Sequence, residues 1–161
     1  MEIKYYYSSI IGPSPNTFIP DLSFFARIRM RIRSVRGYII IAYFEYGKSI
    51  SYVVLKHNYL YRYTFLKKND MIINPYWTHP DYRKKGIATK LLKEVVKNEN
   101  NVWDNLYAVV EIDNIGSINC LEAVGFGFFG YAIKRKKWFY DISQKRKSML
   151  LVYRYFGEKE K

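Results

Sequence analysis

The first half of the chain alternates apolar and polar positions in short runs, with the two-residue period that is typical of β-strands. These runs are rich in Ile, Val, Tyr and Phe, which favour strands. A tight turn at Gly47 and Lys48 joins two of them and predicts a hairpin. Strands are predicted over residues 3–11, 38–46, 49–56, 59–66 and 71–78.

Residues 21–35 fit two periods at once. Apolar residues from Phe25 to Val35 recur at i, i+3, i+7 and i+10, which places them on one helical face, and Asp21 is a suitable N-cap. The arginines at alternate positions in 27–33 have the period of a strand instead. We favour a helix over 21–35, with the arginine row as a solvated face.

Helical and strand patterns alternate in the second half of the chain. After Gly86 an apolar stripe with lysines outside it predicts an amphipathic helix that ends near residues 98–101. Gly125 is a suitable left-handed terminator for a second, short helix. The order of elements predicts a mixed α/β fold. The remaining predicted elements are a strand over 106–112, a short helix over 117–123, and closing strands over 126–134 and 149–156.

Composition limits the classes of protein that fit. A chain of 161 residues that is 49% hydrophobic can form its own core, so we expect a single domain over 1–161. The lone Cys120 excludes an internal disulfide and a cysteine-rich zinc site, and with only His57 and His79 no metal is expected. The apolar run over 38–44 ends after seven residues, far short of a membrane span, and the N-terminus lacks a signal-peptide pattern. We expect a cytoplasmic protein without membrane insertion.

The charge is strongly positive. Lys and Arg number 27 against 14 Asp and Glu, a net charge of +13. Such an excess attracts polyanions, including nucleic acid, anionic membrane surfaces and phosphorylated cofactors, without indicating which of them binds.

The segment THPDYRKKGIAT, residues 78–89, carries the clearest chemistry. A predicted strand ends here and a basic, glycine-containing loop opens directly into a helix, whose first N–H groups lack intrahelical partners and attract anionic oxygens. Gly86 and Ala88 are small enough to allow a phosphate near the backbone, and the basic residues 83–85 add charge. The pattern is neither a Walker A loop nor a dinucleotide fingerprint. Taken alone, it also fits a basic surface turn.

A second motif follows the strand over 106–112. Asn114 and Ser117 have the spacing Asn-x-x-Ser, and Gly125 with Phe126 comes about ten residues after the asparagine. Together with the preceding loop, this segment resembles the cofactor motifs of the GNAT superfamily of N-acetyltransferases, which use acetyl-coenzyme A (acetyl-CoA).

The resemblance covers residues 71–132 well and the front third of the chain in outline. The family's loop motif, Arg/Gln-x-x-Gly-x-Gly/Ala, is matched by Arg83, Gly86 and Ala88. It implies a mixed, largely antiparallel sheet of six to seven strands flanked by helices. Strands 4 and 5 are expected to splay apart and leave a V-shaped slot.

The resemblance also implies how acetyl-CoA is held. Backbone groups of Trp77 and Thr78 would pair with the pantetheine arm, N–H groups within 84–89 would hold the pyrophosphate, and Asn114 and Ser117 would line the slot from the side of strand 5. No metal is implied. The cofactor-binding residues implied in this way are Trp77, Thr78, Arg83, Lys84, Lys85, Gly86, Ile87, Ala88, Thr89, Asn114 and Ser117.

One position departs from the family pattern. Many members have, four residues before the Gly-Phe pair, a tyrosine that protonates the leaving thiolate, and this chain has Leu121 there. Cys120 is adjacent, but neighbouring helix residues point about 100° apart, and a lone helical cysteine is more typical of a core. Tyr131 and Tyr140 are further candidates that nothing in the sequence distinguishes.

Glu111 is the best candidate for the base that removes the amine proton. It lies on the predicted strand two residues after Val109, so both share a face, and some relatives that acetylate protein N-termini have a catalytic glutamate at the position of Val109. An exposed carboxylate that balances nearby lysines is the alternative interpretation. His79, before a proline at a strand end, is better explained as shaping the turn, and an ordered water is a further candidate base.

These features favour an acetyl-CoA-dependent N-acetyltransferase whose acceptor is a primary amine. An amino sugar or sugar nucleotide is a better match to a basic, aromatic-rich chain than a protein N-terminus. Two alternatives stay open: an acyl-CoA-binding protein that is catalytically weak because of Leu121, and a basic nucleic-acid-binding module. Relatives are often homodimers, but no segment of this sequence specifies such an interface.

Overall fold

The computed structural model describes residues 2–7, 24–25, 37–57, 62–98, 102–136 and 139–157. These residues form one eight-stranded sheet with the order β1-β2-β3-β4-β5-β8-β6-β7. The ladder between β4 and β5 is parallel, and the other ladders of the sheet are antiparallel. The strands are β1 (Glu2–Tyr7), β2 (Tyr38–Glu45), β3 (Lys48–His57), β4 (Met71–Thr78), β5 (Leu106–Glu111), β6 (Phe126–Lys136), β7 (Phe139–Ser143) and β8 (Leu150–Tyr155), and the helices are α1 (Ile87–Asn98) and α2 (Ile115–Glu122).

The sheet opens between β4 and β5. These strands pair only from Met71 to Ile73 against Leu106 to Ala108. On its other side β4 stays paired with β3 as far as Thr78, and β5 stays paired with β8 as far as Glu111. The two strands therefore diverge towards their carboxyl ends, which confirms the expected splay between strands 4 and 5.

A β-bulge interrupts β4 just where the strands diverge. Ile73 pairs with Leu55 and Tyr76 pairs with Val53, so Asn74 and Pro75 together oppose a single residue of β3. One extra residue reverses the alternation of side chains along the rest of the strand. As a result Tyr76 packs on the same face of the sheet as Ile73.

Different elements cover the two faces of the sheet. On one face α1 and α2 bury Leu91 and Leu121 against strand residues such as Ile73. On the other face Ile72 and Tyr107 belong to a separate aromatic and aliphatic cluster. Alternate strand positions supply the two faces, as the sequence pattern predicts.

The hairpin is confirmed, with its turn one residue earlier than predicted. β2 ends at Glu45, and Tyr46 and Gly47 both have positive φ, 48° and 75°, as the tight turns of hairpins require. Helix α2 begins at Ile115, two residues before its predicted start, because the Asn114 side chain caps it by accepting a hydrogen bond from the Ser117 N–H at 3.1 Å.

The strand predicted over 59–66 is wrong for its described part. Residues 62–66 form no strand, and Tyr63 makes only an isolated bridge with Tyr140. Residues 58–61 lie outside the described residues. Tyr140 belongs to β7, a strand that was not predicted. With β7 the sheet has eight strands, one more than the six to seven expected.

Two other predictions fall largely outside the described residues. Of the helix predicted over 21–35, only Phe24 and Phe25 are described, and both are helical. The arginine row at 27–33 is not described. The strand predicted over 3–11 is confirmed as far as Tyr7, the last residue of β1, and residues 8–11 lie outside the described residues.

Candidate functional site

An open cleft of about 670 Å³ lies where β4 and β5 diverge. One wall is the end of β4, one end is the loop that leads into α1, and the facing wall is α2. The lining residues are Tyr76, Trp77, Thr78, Tyr82, Arg83, Lys84, Gly86, Ile87, Ala88, Thr89, Asn114, Gly116, Ser117, Asn119 and Cys120.

The start of α1 presents backbone N–H groups to the cleft. The N–H of Lys90 donates to the carbonyl of Gly86 and opens the helical ladder, so the N–H groups of residues 87–89 precede the first intrahelical bond. The first turn of α1 has no acidic residue. The positive end of the helix dipole therefore adjoins the cleft with no carboxylate in the first turn of the helix, which suits an anion.

The turn before α1 has an unusual backbone. Lys84 and Gly86 have φ values of 59° and 72°, in the left-handed region. A Cβ placed on Gly86 would meet no atom within 4 Å. Glycine is thus required here by its backbone conformation and not by crowding from the protein.

The basic residues of this loop do different things. The Arg83 Nε donates a hydrogen bond to the Thr78 carbonyl at 3.1 Å and so joins the loop to the end of β4. Lys84 lines the cleft. Lys85 does not line it, because its ammonium group lies over the Tyr82 ring, 5.2 Å from the centroid.

Backbone groups of β4 point alternately towards β3 and towards the cleft. The Trp77 carbonyl accepts a hydrogen bond from Ser51 Oγ at 3.0 Å, and the His79 N–H donates to the Ile50 carbonyl at 2.8 Å, so both face β3. The backbone groups of Tyr76 and Thr78 consequently point towards the gap beside β5. Among the predicted pair Trp77 and Thr78, only the second has its backbone directed into the cleft.

Trp77 and His79 form part of an aromatic row beside the cleft. The Trp77 ring stacks on Tyr52 at 5.7 Å between centroids, and the His79 ring lies edge-on between Trp77 and Tyr82, at 5.8 and 5.9 Å. His79 Nδ1 also accepts from the Asp81 N–H at 3.4 Å and caps the 3₁₀ turn Pro80–Tyr82. This agrees with the interpretation of His79 as a residue that shapes the turn.

Asn114 and Ser117 lie on the α2 side of the cleft, as predicted. The side-chain carbonyl of Asn114 caps α2 by accepting the hydrogen bond from the Ser117 N–H. The cleft therefore brings together every predicted cofactor residue except Lys85.

Comparison with known proteins agrees with this geometry. The family model described as the acetyltransferase (GNAT) family matches residues 7–126, which include β4, the loop, α1 and α2. The chain belongs to the acetyltransferase (GNAT) family. It is therefore a member of a family of acyltransferases, and the resemblance seen in the two motifs is confirmed.

Solved structures of GNAT proteins share the fold. An IAA acetyltransferase from Bacillus cereus ATCC 14579 has a TM-score of 0.61 at 14% identity, covering 96% of this chain and 99% of that one. A ribosomal-protein-alanine N-acetyltransferase from Brucella melitensis has a TM-score of 0.59 at 18% identity, covering 83% and 78%. A GNAT acetyltransferase from Elizabethkingia anophelis, solved with acetyl-CoA bound, has a TM-score of 0.58 at 14% identity, covering 95% and 97%. At these identities the likeness shows the fold alone. A search of curated proteins found no significant match to the sequence of this chain.

Tyr76 is a cleft residue that the sequence reasoning missed. Its hydroxyl is buried and makes no hydrogen bond of standard geometry in the structure, although the Ser117 side chain is near. Burial raises the pKa of Tyr76 to about 12, opposed by hydrogen bonding from Ser117 and reinforced by Cys120. Simple alternation along the strand places Tyr76 on the face of Ile72, and the bulge reverses this. The Asn-Pro pair before it was the only available signal.

Leu121 and Cys120 have the environments of core residues. Leu121 is completely buried and does not line the cleft. Cys120 touches the cleft, and its Sγ lies 3.1 Å from the Thr89 hydroxyl. Burial raises the pKa of the Cys120 thiol, and the contact with Thr89 only partly opposes this, so the thiol stays protonated near neutral pH.

Glu111 does not lie among the cleft residues. It is the exposed last residue of β5 and pairs with Leu150 of β8. It shares a strand face with Val109, which packs on the side of the sheet opposite the helices. Tyr131 and Tyr140 also lie away from the cleft.

Two further findings concern the described ranges as a whole. Within them, no three His, Cys, Asp or Glu side chains come together in a way that could hold a metal ion. None of the helices in the part of the chain that the structure describes is long and apolar enough to cross a membrane.

Proposed function

We propose that this GNAT-family chain is a single-domain N-acetyltransferase, over residues 1–161, that moves the acetyl group of acetyl-CoA to a primary amine. The observation that carries the proposal is the cleft at the β4–β5 splay. At this cleft, an edge of β4 that pairs with no other strand lies next to the basic N-terminal end of α1. An extended polar chain that ends in phosphates matches these two features.

The residues present fit acetyl-CoA. Pyrophosphate oxygens would accept hydrogen bonds from the N–H groups of residues 87–89, with Lys84 beside them. Amide groups of the arm would pair with the backbone of Tyr76 and with the N–H of Thr78, whose carbonyl accepts from Arg83, as a strand added to β4. The buried Tyr76 hydroxyl, which lacks a standard hydrogen bond, shows that the cleft holds polar capacity that the protein does not use itself. The acetyl-CoA in the Elizabethkingia anophelis structure supports the same assignment.

The transfer reaction depends more on the positioning of the two reactants than on a large number of reactive side chains. A neutral amine attacks the thioester carbonyl carbon, a C–N bond forms, and the C–S bond breaks with its electron pair on sulfur. Most of the rate acceleration comes from holding the two reactants together in one cleft. The cleft lining has no carboxylate among the described residues, and Glu111 lies outside it at the end of β5. We propose Glu111, or a bound water, as the base that takes the amine proton.

We propose a small, anionic or ring-bearing amine as acceptor, such as an amino sugar or a sugar nucleotide. The net charge of +13 favours a phosphorylated acceptor. A protein N-terminus is the second candidate. The names of the Bacillus cereus and Brucella melitensis relatives refer to different acceptors and so favour neither.

Acyl-CoA binding without turnover is a second candidate function, because Leu121 is apolar and buried at the place where many family members have a tyrosine. Amine-dependent release of CoA thiol from acetyl-CoA distinguishes the two functions. Release with any amine in a panel of amino sugars and sugar nucleotides supports the enzyme. Tight binding of acetyl-CoA with no release from any amine, peptide N-termini included, supports the binding protein.

The first experiment is a thermal melt with acetyl-CoA, with CoA and without ligand. A ligand at about 100 times its Kd adds about 2.7 kcal/mol to the free energy of unfolding, which raises the Tm of a chain this size by about 5–11 °C. Lys84→Glu reverses a charge in the cleft and should reduce this shift. Lys68→Glu makes the same charge change on an exposed loop before β4, outside the cleft, and should retain it. The absence of any shift at millimolar acetyl-CoA would contradict the proposed function.

A further inference from the structure

The Tyr76 hydroxyl is the starting point. It is buried, it lines the cleft, and it makes no hydrogen bond of standard geometry. The other buried side-chain atoms without partners in the described residues belong to Ser49, Arg62 and Trp103, and none of these lines the cleft. A buried donor without a partner costs free energy, so its retention at this place calls for a ligand that uses it.

Tyr76 is placed on the part of β4 that is farthest from the phosphate loop among the cleft residues of this strand. Along β4 the chain runs from Ile73, where pairing with β5 ends, through Tyr76 to Thr78 and then into the loop. Tyr76 is the cleft residue of β4 nearest the closed end of the V. With phosphates at the start of α1 and the arm along β4, the reactive end of the arm reaches the level of Tyr76.

We propose that the Tyr76 hydroxyl donates a hydrogen bond to the thioester sulfur of acetyl-CoA and stabilises the negative charge that develops there as the C–S bond breaks. This inference rests on the proposed function. It makes Tyr76 a catalytic residue at a position that neither family motif includes.

The step balances without a proton from Tyr76. The amine nitrogen forms a bond to the carbonyl carbon and loses one proton to the base. The C–S bond breaks, its electron pair stays on sulfur, and the departing thiolate takes a proton from solvent, to which the base returns the proton that it received from the amine. Since the pKa of Tyr76 is raised to about 12, the phenol keeps its proton throughout and acts as a fixed donor. Such preorganised donors strengthen as charge develops.

Other hydroxyls and thiols of the cleft are already engaged. The Tyr82 hydroxyl donates to the Glu45 carboxylate, and Thr78 Oγ1 lies 2.9 Å from Ser51 Oγ. Cys120 contacts the Thr89 hydroxyl. The Ser117 side chain, next to Tyr76, is the group best placed to orient the phenol.

The test titrates the thiol of bound CoA, followed by the near-ultraviolet absorbance of the thiolate. A hydrogen bond to the thiolate lowers its pKa, so Tyr76→Phe should raise the pKa of bound CoA by about one unit, a tenfold change in the ionisation constant. The charges of Arg83 and Lys84 and the titration of Tyr82 are common to both proteins. Because Cys120 interacts with Tyr76, both proteins carry Cys120→Ala, which leaves CoA as the source of the thiolate signal. Tyr153→Phe is the matched control, because its hydroxyl donates to Glu122 outside the cleft. It should leave the thiol pKa unchanged.

A second measurement covers the case in which the variant folds poorly. Wild-type protein should bind CoA more tightly than desulfo-CoA at a pH where the bound thiol is ionised, and this preference should decrease at lower pH. With an accepting amine, Tyr76→Phe should lower kcat about 100-fold at nearly constant Kd for acetyl-CoA.

The outcomes separate the two proposals. Equal thiol pKa values in wild type and Tyr76→Phe, with CoA bound to both, would overturn the role of Tyr76 and leave the acetyltransferase intact. Failure of wild-type protein to bind CoA would overturn both.

Discussion

The Arg83 guanidinium donates to the carbonyl of Thr78, across the turn that joins β4 to α1. This hydrogen bond links the strand edge proposed to hold the arm with the loop proposed to hold the phosphates. The Arg83 side chain thus helps to fix the relative position of these two halves of the cleft, together with the backbone hydrogen bonds of the turn.

Arg83→Lys should therefore weaken acetyl-CoA binding although it keeps the charge. The lysine lacks the planar group that reaches the Thr78 carbonyl, and we expect about a tenfold increase in Kd, or about 1.4 kcal/mol. Isothermal titration of acetyl-CoA measures it. Unchanged affinity in Arg83→Lys, with reduced affinity in Arg83→Met, would show that only the charge matters.

Gly86→Ala should lower the free energy of unfolding by about 1–2 kcal/mol, because alanine is strained at a φ of 72° although no atom crowds it. Gly116→Ala is the matched control. Gly116 lies in α2, has no positive φ, and an added Cβ meets nothing within 4 Å, so alanine should be neutral or stabilising by up to about 1 kcal/mol. Urea denaturation of both variants decides between backbone strain and simple loss of a glycine.

Tyr76→Phe should not lower the stability of the ligand-free protein, and we expect a gain of about 1 kcal/mol. The substitution keeps the ring and removes a buried hydroxyl that makes no standard hydrogen bond. The same urea titration provides the measurement. A loss of more than 1 kcal/mol would indicate that an interaction of the phenol with the nearby Ser117 side chain stabilises the fold.

Cys120 should react slowly with iodoacetamide at neutral pH. Burial holds its pKa above the ordinary value, so the reactive thiolate is scarce at pH 7, and its fraction keeps increasing with pH until the pH exceeds that raised pKa. The rate of alkylation, measured by mass spectrometry between pH 7 and 10, should climb through this whole range. A plateau by pH 8 would contradict the assignment.

Glu111→Gln tests the proposed base. The residue lies outside the cleft lining, so the Kd for acetyl-CoA should not change. If Glu111 accepts the amine proton, the rate at neutral pH should fall about 100-fold or more, and a rise of pH that deprotonates the free amine should restore part of it. An unchanged rate would assign the proton transfer to water.

The loop before α1 could be predicted from the sequence because its signals are local, whereas the slot beside it was implied by the resemblance to GNAT proteins. Gly86 next to an amphipathic helix, and Asn114 three residues before Ser117, each specify a turn or cap through neighbouring residues. Apart from Lys85, the predicted loop residues therefore lie at the cleft, although the prediction used no knowledge of the sheet.

Other features depend on partners distant in sequence. β7 pairs with β6 through residues that lack a clear alternating pattern, and Tyr63 bridges to Tyr140 across 77 positions. Whether Lys85 points into the cleft depends on the Tyr82 ring, which only the folded loop brings beside it. Such pairings are decided by tertiary packing and not by local preference.

The bulge at Asn74 and Pro75 determines which face of the sheet each following residue of β4 points to. With the extra residue, Tyr76 faces the helices and Trp77 faces Tyr52. If the strand ran straight through both bulge residues, these two sides would be exchanged, and an indole would stand where the phenol is now. The chemistry available at the closed end of the V is thus set by how the strand pairs with β3 as well as by the identity of its residues.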